Sequence, residues 1–191
     1  CSADFPYAMR RLLPPDFKHA KYTPAKVDKL ADSCSAFMIY LGLDTDQFEG
    51  LNLHNLAFSA DFKKNLDDIF RGEFPEDPSV YVYAPALEDE SLAPAGKLGL
   101  YVLTPVPNRK DGNLPWDQEE MLASYRRKVF DKIRQIEPLA DFERHIIAEK
   151  IYTPLDFELD FNAAFGATFG LKPTLLQSNY WRPQPKSLRI D

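Results

Sequence analysis

The chain is 191 residues long, 45% hydrophobic, 27% charged and 13% aromatic, and carries a net charge of −6. That balance suits one folded domain with a real core and excludes a disordered chain. The acidic excess argues against nucleic acid as the main partner, and two cysteines give neither a disulfide framework nor a cysteine metal site.

Cys1 to Tyr22 read as the exit from another structure: Ser2 to Pro6 is turn-like, and Tyr7 to Leu13 suits a short helix ended by Pro14-Pro15. Lys18, Lys21, Lys26 and Lys29 dot a polar connector whose default is a solvated face. Ser35 to Leu43 (SAFMIYLGL) is the best strand, and its apolar residues alternate onto both faces, which predicts cover on both sides. It is also the core of the longest apolar run, far short of the ~20 residues a spanning helix needs. Leu51 to Phe58 supplies a second strand carrying His54, a lone histidine whose default is structural. Ser59 then caps a helix with Asp61 in its first turn. Phe62, Leu66, Ile69 and Phe70 are expected to lie on the sheet, and Gly72 stops the helix.

Val80 to Ala84 alternates small aliphatics with tyrosines, and Leu98 to Thr104 alternates similarly until Pro105 and Pro107. Two strands so close in sequence are simplest as antiparallel neighbours. A helix follows, with Asp117 as N-cap, Glu120 completing a capping box and Trp116 stapled onto Met121. Its buried stripe is Met121, Tyr125, Val129, Ile133 and Ile136, its charged remainder is the wet face, and Pro138 closes it. His145 to Tyr152 is another strand, and Thr153-Pro154 starts a short helix with Asp156 at its third position. The run Asp156, Glu158, Asp160 invites an acid–base reading, but capping and solvation account for it.

The tract Phe165 to Gln184, FGATFGLKPTLLQSNYWRPQ, is too interrupted by glycine and proline for a helix and too aromatic for a solvated loop. It is either an irregular segment packed on a sheet or the wall of an apolar cavity. No G-x-G-x-x-G, P-loop, H-E-x-x-H or G-x-S-x-G occurs, no metal-ligand cluster is evident, and His19, His54 and His145 have no obvious triad partners. The residue pattern points to an α+β fold: a mixed, largely antiparallel sheet with helices packed on it.

CSADFP, SCSAFMIYLGLD, LHNLAFSADFKKNLDDIFRG, EDPSVYVYAPALEDESLAPAGKLGLYVLTPVPN and the tract at 165–184 recur in order along the chain. Together they resemble bacterial carotenoid desaturases of the phytoene-desaturase type, and TFGLKPTLLQSNYWRPQ is most similar to the diapophytoene (dehydrosqualene) desaturases. The resemblance implies a piece of an FAD flavoprotein with a monoamine-oxidase-like, two-domain architecture, lacking both main FAD motifs and inactive alone. Residues 1–22 would leave the FAD domain, 23–184 would form substrate-binding domain, and 185–191 would return toward the FAD domain. The implied chemistry is dehydrogenation of an apolar C30 polyene, with FAD held mainly by sequence outside this chain. Thr168, Phe169, Leu171, Thr174, Leu175, Gln177, Tyr180, Trp181 and Arg182 would face the substrate tunnel or the flavin. Phytoene (C40) desaturation, oxidation of carotenoid terminal methyl groups, or a silent lipid-binding module are the alternatives. The resemblance also implies a cytoplasmic protein peripheral to the inner face of the cell membrane. The isolated piece is expected to self-associate through its uncovered apolar surface.

Overall fold

A computed structural model of the chain describes residues 3–14, 22–112, 114–178 and 181–183. Five strands form one sheet: β1 (Ser35–Leu43), β2 (His54–Ala57), β3 (Val80–Tyr83), β4 (Leu98–Val106) and β5 (Ile146–Tyr152). Their order is β2-β3-β4-β1-β5 and every pairing is antiparallel, so the α+β expectation holds with no parallel pair among the described strands. The helices are α1 (Phe5–Tyr7), which a π-helical turn continues to Leu12, α2 (Pro24–Val27), α3 (Phe62–Arg71), α4 (Glu119–Ile133) and α5 (Pro154–Phe161).

Period-two alternation divides the sheet into two unlike faces. One face presents Phe37, Ile39, Leu41 and Leu43 of β1, Val80 and Val82 of β3, and Leu98, Leu100 and Val102 of β4, all buried. Tyr125, Val129, Phe130 and Ile133 of α4, with Trp116, Leu139 and Phe142, complete this core. Trp116 and Tyr125 both contact the Phe37 ring, at centroid distances of 5.8 and 5.1 Å. Burying each such side chain contributes roughly 1.5–3 kcal/mol, so this face holds the fold together.

The other face is only partly covered. Ala36 and Met38 are buried, but Tyr40 is 42% exposed, so the expectation that β1 is covered on both sides is met only at its start. β4 runs on through Pro105 to Val106, past its expected stop. Its pairing with β3 involves only Tyr81 to Tyr83 with Tyr101 to Leu103, so at Pro105 one side of β4 is an edge. An edge position tolerates a residue with no N–H to donate.

Three helix expectations change in detail. α3 is capped by Asp61, which accepts from the Lys64 N–H, while Ser59 lies outside it; Gly72 closes it at φ 81° as expected. Its buried residues are Asn65, Asp68 and Ile69, whereas Phe62, Leu66 and Phe70 stay exposed. The reason lies in what faces α3. Ser79 Oγ donates to Asn65 Oδ1 and accepts from the Ser59 N–H, so the helix packs on polar loop backbone that an apolar stripe could not satisfy. α4 starts at Glu119 behind Gln118, with no side-chain cap; the Asp117 capping box does not form. Lys132 on its charged side is buried, 2.5 Å from Asp77. At α5 the expected box is complete: Thr153 accepts from the Asp156 N–H and Asp156 accepts from the Thr153 N–H.

Candidate functional site

The partly open face of the sheet carries a continuous row of aromatic rings. Register sets them side by side: His54 lies opposite Tyr83 across β2 and β3, Tyr83 opposite Tyr101 across β3 and β4, and Tyr101 opposite Tyr40 across β4 and β1. Ring contacts run on from Tyr40 to Tyr152 of β5, at 6.0 Å, and from Tyr152 to Phe157 and Phe161 of α5, at 6.1 and 5.8 Å. His54 stacks on both Tyr81 and Tyr83, at 12–20° between planes. The row thus crosses all five strands.

Two polar ends within this row are satisfied locally. Tyr81 OH pairs with His54 Nδ1 at 2.7 Å, and Tyr101 OH donates to the Met38 sulfur at 3.6 Å. Their rings can therefore face an apolar ligand without stranding a hydroxyl. Burial raises the phenol pKa of Tyr101, with Tyr40 and Tyr81 adding to it, and burial followed by Tyr152 raises that of Tyr40. These phenols are neutral at physiological pH. The sequence showed the tyrosine alternation of β3, but single strands could not show that four others align with it.

At the start of β1 the face meets an open groove of about 1020 Å³, lined among others by Phe5, Cys34, Pro105, Phe169, Leu171, Gln177 and Arg182. Pro105 belongs to both, since it faces Ala36 across β1 and β4. Of the residues singled out in the sequence, Phe169, Leu171, Gln177 and Arg182 therefore line one groove. Thr168 is half-buried beside the buried Ala167, and Thr174 is exposed. Leu175 and Trp181 stand 91% and 62% exposed, and Tyr180 lies outside the described residues. Burial raises the Cys34 thiol above its ordinary range, which keeps it protonated.

A polar hub fixes this irregular tract against the sheet. Asn108 donates to the Ser33 carbonyl and to Asp111, and its Oδ1 accepts from the Lys110 and Asp111 N–H groups. The Lys110 ammonium reaches the Leu30 carbonyl at 2.6 Å, Asp32 at 3.0 Å and the Asp28 carbonyl at 3.2 Å, and sits over the Phe165 ring. The Ser35 hydroxyl donates to the Gly166 carbonyl, the Ser33 N–H to the Gly170 carbonyl, and the Lys172 N–H to the Ala31 carbonyl. Gln177 accepts from the Ala31 N–H and donates to the Ala31 and Lys172 carbonyls. The tract is thus a strap tied by main chain rather than a packed apolar segment. Of the acids whose spacing invites a catalytic reading, Asp156 caps α5 and Glu158 pairs with Arg109.

Among the described residues no cluster of histidine, cysteine, aspartate or glutamate could hold a metal ion, and no helix is long and apolar enough to cross a membrane. No family model matches the chain. It is 46% identical over 183 residues to a protein of Staphylococcus haemolyticus strain JCSC1435, and 46% identical over 185 residues to one of Staphylococcus aureus strain Newman. Both are named 4,4'-diapophytoene desaturase (4,4'-diaponeurosporene-forming). Each alignment takes in 96% of this chain but only 36% and 37% of the relative. The chain is therefore related to these desaturases along nearly its whole length and spans about a third of theirs.

Proposed function

We propose that this chain is the substrate-side portion of an oxidoreductase that desaturates a C30 carotenoid precursor, diapophytoene, and that the partly open aromatic face of its sheet holds the polyene. The relatedness to diapophytoene desaturases supports the reaction. The observation that carries the site is the unbroken run of rings from His54 to Phe161 across all five strands. An unactivated hydrocarbon offers no polar handle, so binding must rest on dispersion and water exclusion over a large flat surface. A row of aromatic rings provides that surface, and the groove beside Phe169 and Leu171 lies past the start of β1.

In the full-length protein FAD would accept the hydride, leaving this chain to position the chain of carbons. The residues of this chain do not by themselves fit a dinucleotide, because no glycine-rich strand-to-helix turn occurs. FAD is proposed on the resemblance, held mainly by sequence outside this chain. The rest of the protein would then close over the aromatic face in cis. A lipophilic substrate supports a peripheral position for the whole protein, at the inner face of the cell membrane on the resemblance.

The full-length protein supplied separately with diapophytoene and phytoene tests the reaction, with products resolved by absorbance. Conjugated C30 products are expected, and colour from phytoene alone would sink the C30 assignment. Tyr101→Ala and Tyr40→Ala should each raise KM for diapophytoene while leaving the protein folded. Unchanged KM in both would remove the aromatic face as the site.

A further inference from the structure

Within the aromatic row His54 carries an imidazole, and only one of its two ring nitrogens is engaged. It stands on β2, the edge strand of the sheet, opposite Tyr83 of β3. Its ring stacks on Tyr83 at 5.1 Å and on Tyr81 at 5.9 Å, and Nδ1 bonds to the Tyr81 hydroxyl at 2.7 Å. Nε2, the ring nitrogen farther from the backbone, has no partner among the described residues. A histidine kept for structure is normally buried with both nitrogens satisfied. His54 is exposed, and the fold gains from it only the stacking and one hydrogen bond. A tyrosine, which fills most of this row, would stack equally well.

The proposed reaction has a use for a free basic nitrogen. Desaturation removes one hydrogen as hydride and the other, from the adjacent carbon, as a proton. The hydride goes to a two-electron acceptor of the flavin class, the proton goes to a base, and the electron pair of the second C–H bond becomes the new double bond. This face offers few bases. A phenol or a thioether is a feeble proton acceptor, which sets aside the tyrosines and Met38. Lys150, opposite Tyr40 and over the Tyr152 ring, is an ammonium without a lone pair. Among the described strand residues no carboxylate stands on this face; Glu149 lies on the other side of β5, opposite Leu41, and pairs with Arg126.

We infer that His54 is the proton acceptor of the desaturation, its Nε2 taking the proton from the carbon next to the one that loses hydride. The inference rests on reading the aromatic face as the polyene site. A neutral imidazole carries one N–H, and with that hydrogen on Nδ1, donated to the Tyr81 oxygen, the lone pair is left on Nε2. Taking up the proton makes an imidazolium stacked on two phenol rings, whose electron-rich faces stabilise the charge. The place on the edge strand then lets the proton pass to water before the next turnover, an outlet that a strand in the middle of the sheet lacks.

The test compares His54→Gln, His54→Ala and Tyr101→Ala in the full-length protein, with kcat and KM measured on diapophytoene and folding followed by melting temperature. His54→Gln should lower kcat about 100-fold, the usual share of a general base, with KM within about two-fold of wild type. His54→Ala should lose as much and recover several-fold when free imidazole is added, because the exposed site admits it. Glutamine fills the space and should show no such rescue. Binding of the coloured product, read from its absorbance, should hold in both His54 variants. A kcat within about three-fold of wild type in His54→Gln, with KM raised in Tyr101→Ala, overturns the base and keeps the aromatic face. A raised KM with kcat constant in the His54 variants also overturns it, since His54 would then be binding surface alone. A lost kcat that imidazole does not restore in His54→Ala, at unchanged melting temperature, overturns it as well. No effect from either His54 or Tyr101 removes both the base and the face.

Discussion

Lys110→Met removes the ammonium at the centre of the hub and leaves the Asp32 carboxylate, 5% exposed, without its cation. The Leu30 and Asp28 carbonyls lose a donor in the same step. Breaking a buried pair from one side costs ~3–5 kcal/mol where water is excluded. The Lys110 side chain is 29% exposed, so water can enter behind it, and about 2–3 kcal/mol is the expected loss. Urea denaturation followed by fluorescence of the buried Trp116 measures this directly. Adding Asp32→Asn to Lys110→Met should recover most of the loss, because the stranded charge rather than the missing contact is the main penalty. The pH dependence has a definite sign. Desolvation raises the Asp32 pKa above its ordinary 3.8, with Lys110 opposing the rise. A group whose folded pKa lies above its unfolded value contributes stability below 3.8, and that contribution is lost as pH rises through the folded pKa. Without Lys110 the folded pKa climbs further. The deficit of the single variant should therefore be full at neutral pH and close as pH falls toward 3.8. A loss below about 0.5 kcal/mol, or a double variant weaker than the single, would refute the reasoning.

Two further outcomes follow from the core and the open face. Tyr125 is fully buried with its hydroxyl unpaired, and burial drives its pKa far up. Tyr125→Phe keeps its ring contacts with Phe37 and Trp116 and removes the orphan, so it should raise stability by about 1 kcal/mol in thermal melts; a loss would mean that the hydroxyl has a partner. The chain on its own leaves the ring row and the exposed Leu56, Phe58 and Phe62 uncovered, so it should self-associate or take up an apolar dye in light scattering and fluorescence, and a monomer that binds no dye would contradict this.

The fold was largely legible because its strands obey a strict local code. β1 runs over the nine residues expected, and β3, β4 and β5 fall within two residues of their reading; in β3 and β4 strict alternation against one core face leaves little freedom of register. What sequence periodicity could not supply was the identity of the surface each stripe meets. Phe62, Leu66 and Phe70 have helical spacing, but their helix lies against Ser79 and the backbone near Ser59, so the polar Asn65 turns inward. Likewise Asp117 and Glu120 have capping-box spacing, but α4 begins two residues after Asp117. An apolar stripe fixes which side of a helix is greasy, and only tertiary contacts fix what lies against it.

The same limit applies to the site. The aromatics of the tract at 165–184 lie close together in sequence and are therefore conspicuous, and four of the candidate residues singled out in it do line one groove. The larger aromatic surface is spread one or two residues at a time over β1 to β5 and α5, at positions that look like the solvent side of ordinary strands. Antiparallel pairing assembles it, since cross-strand neighbours stand about 4.5–5.5 Å apart and rings at paired positions must touch. The two features meet at Pro105, which lies opposite the buried Ala36 on this face and also lines the groove. The strap of 165–178 is tied to Ala31 and Ser33 by main-chain bonds and to Ala31 also by the Gln177 side-chain amide, so under the proposed function it borders the groove that a long ligand running along β1 would reach.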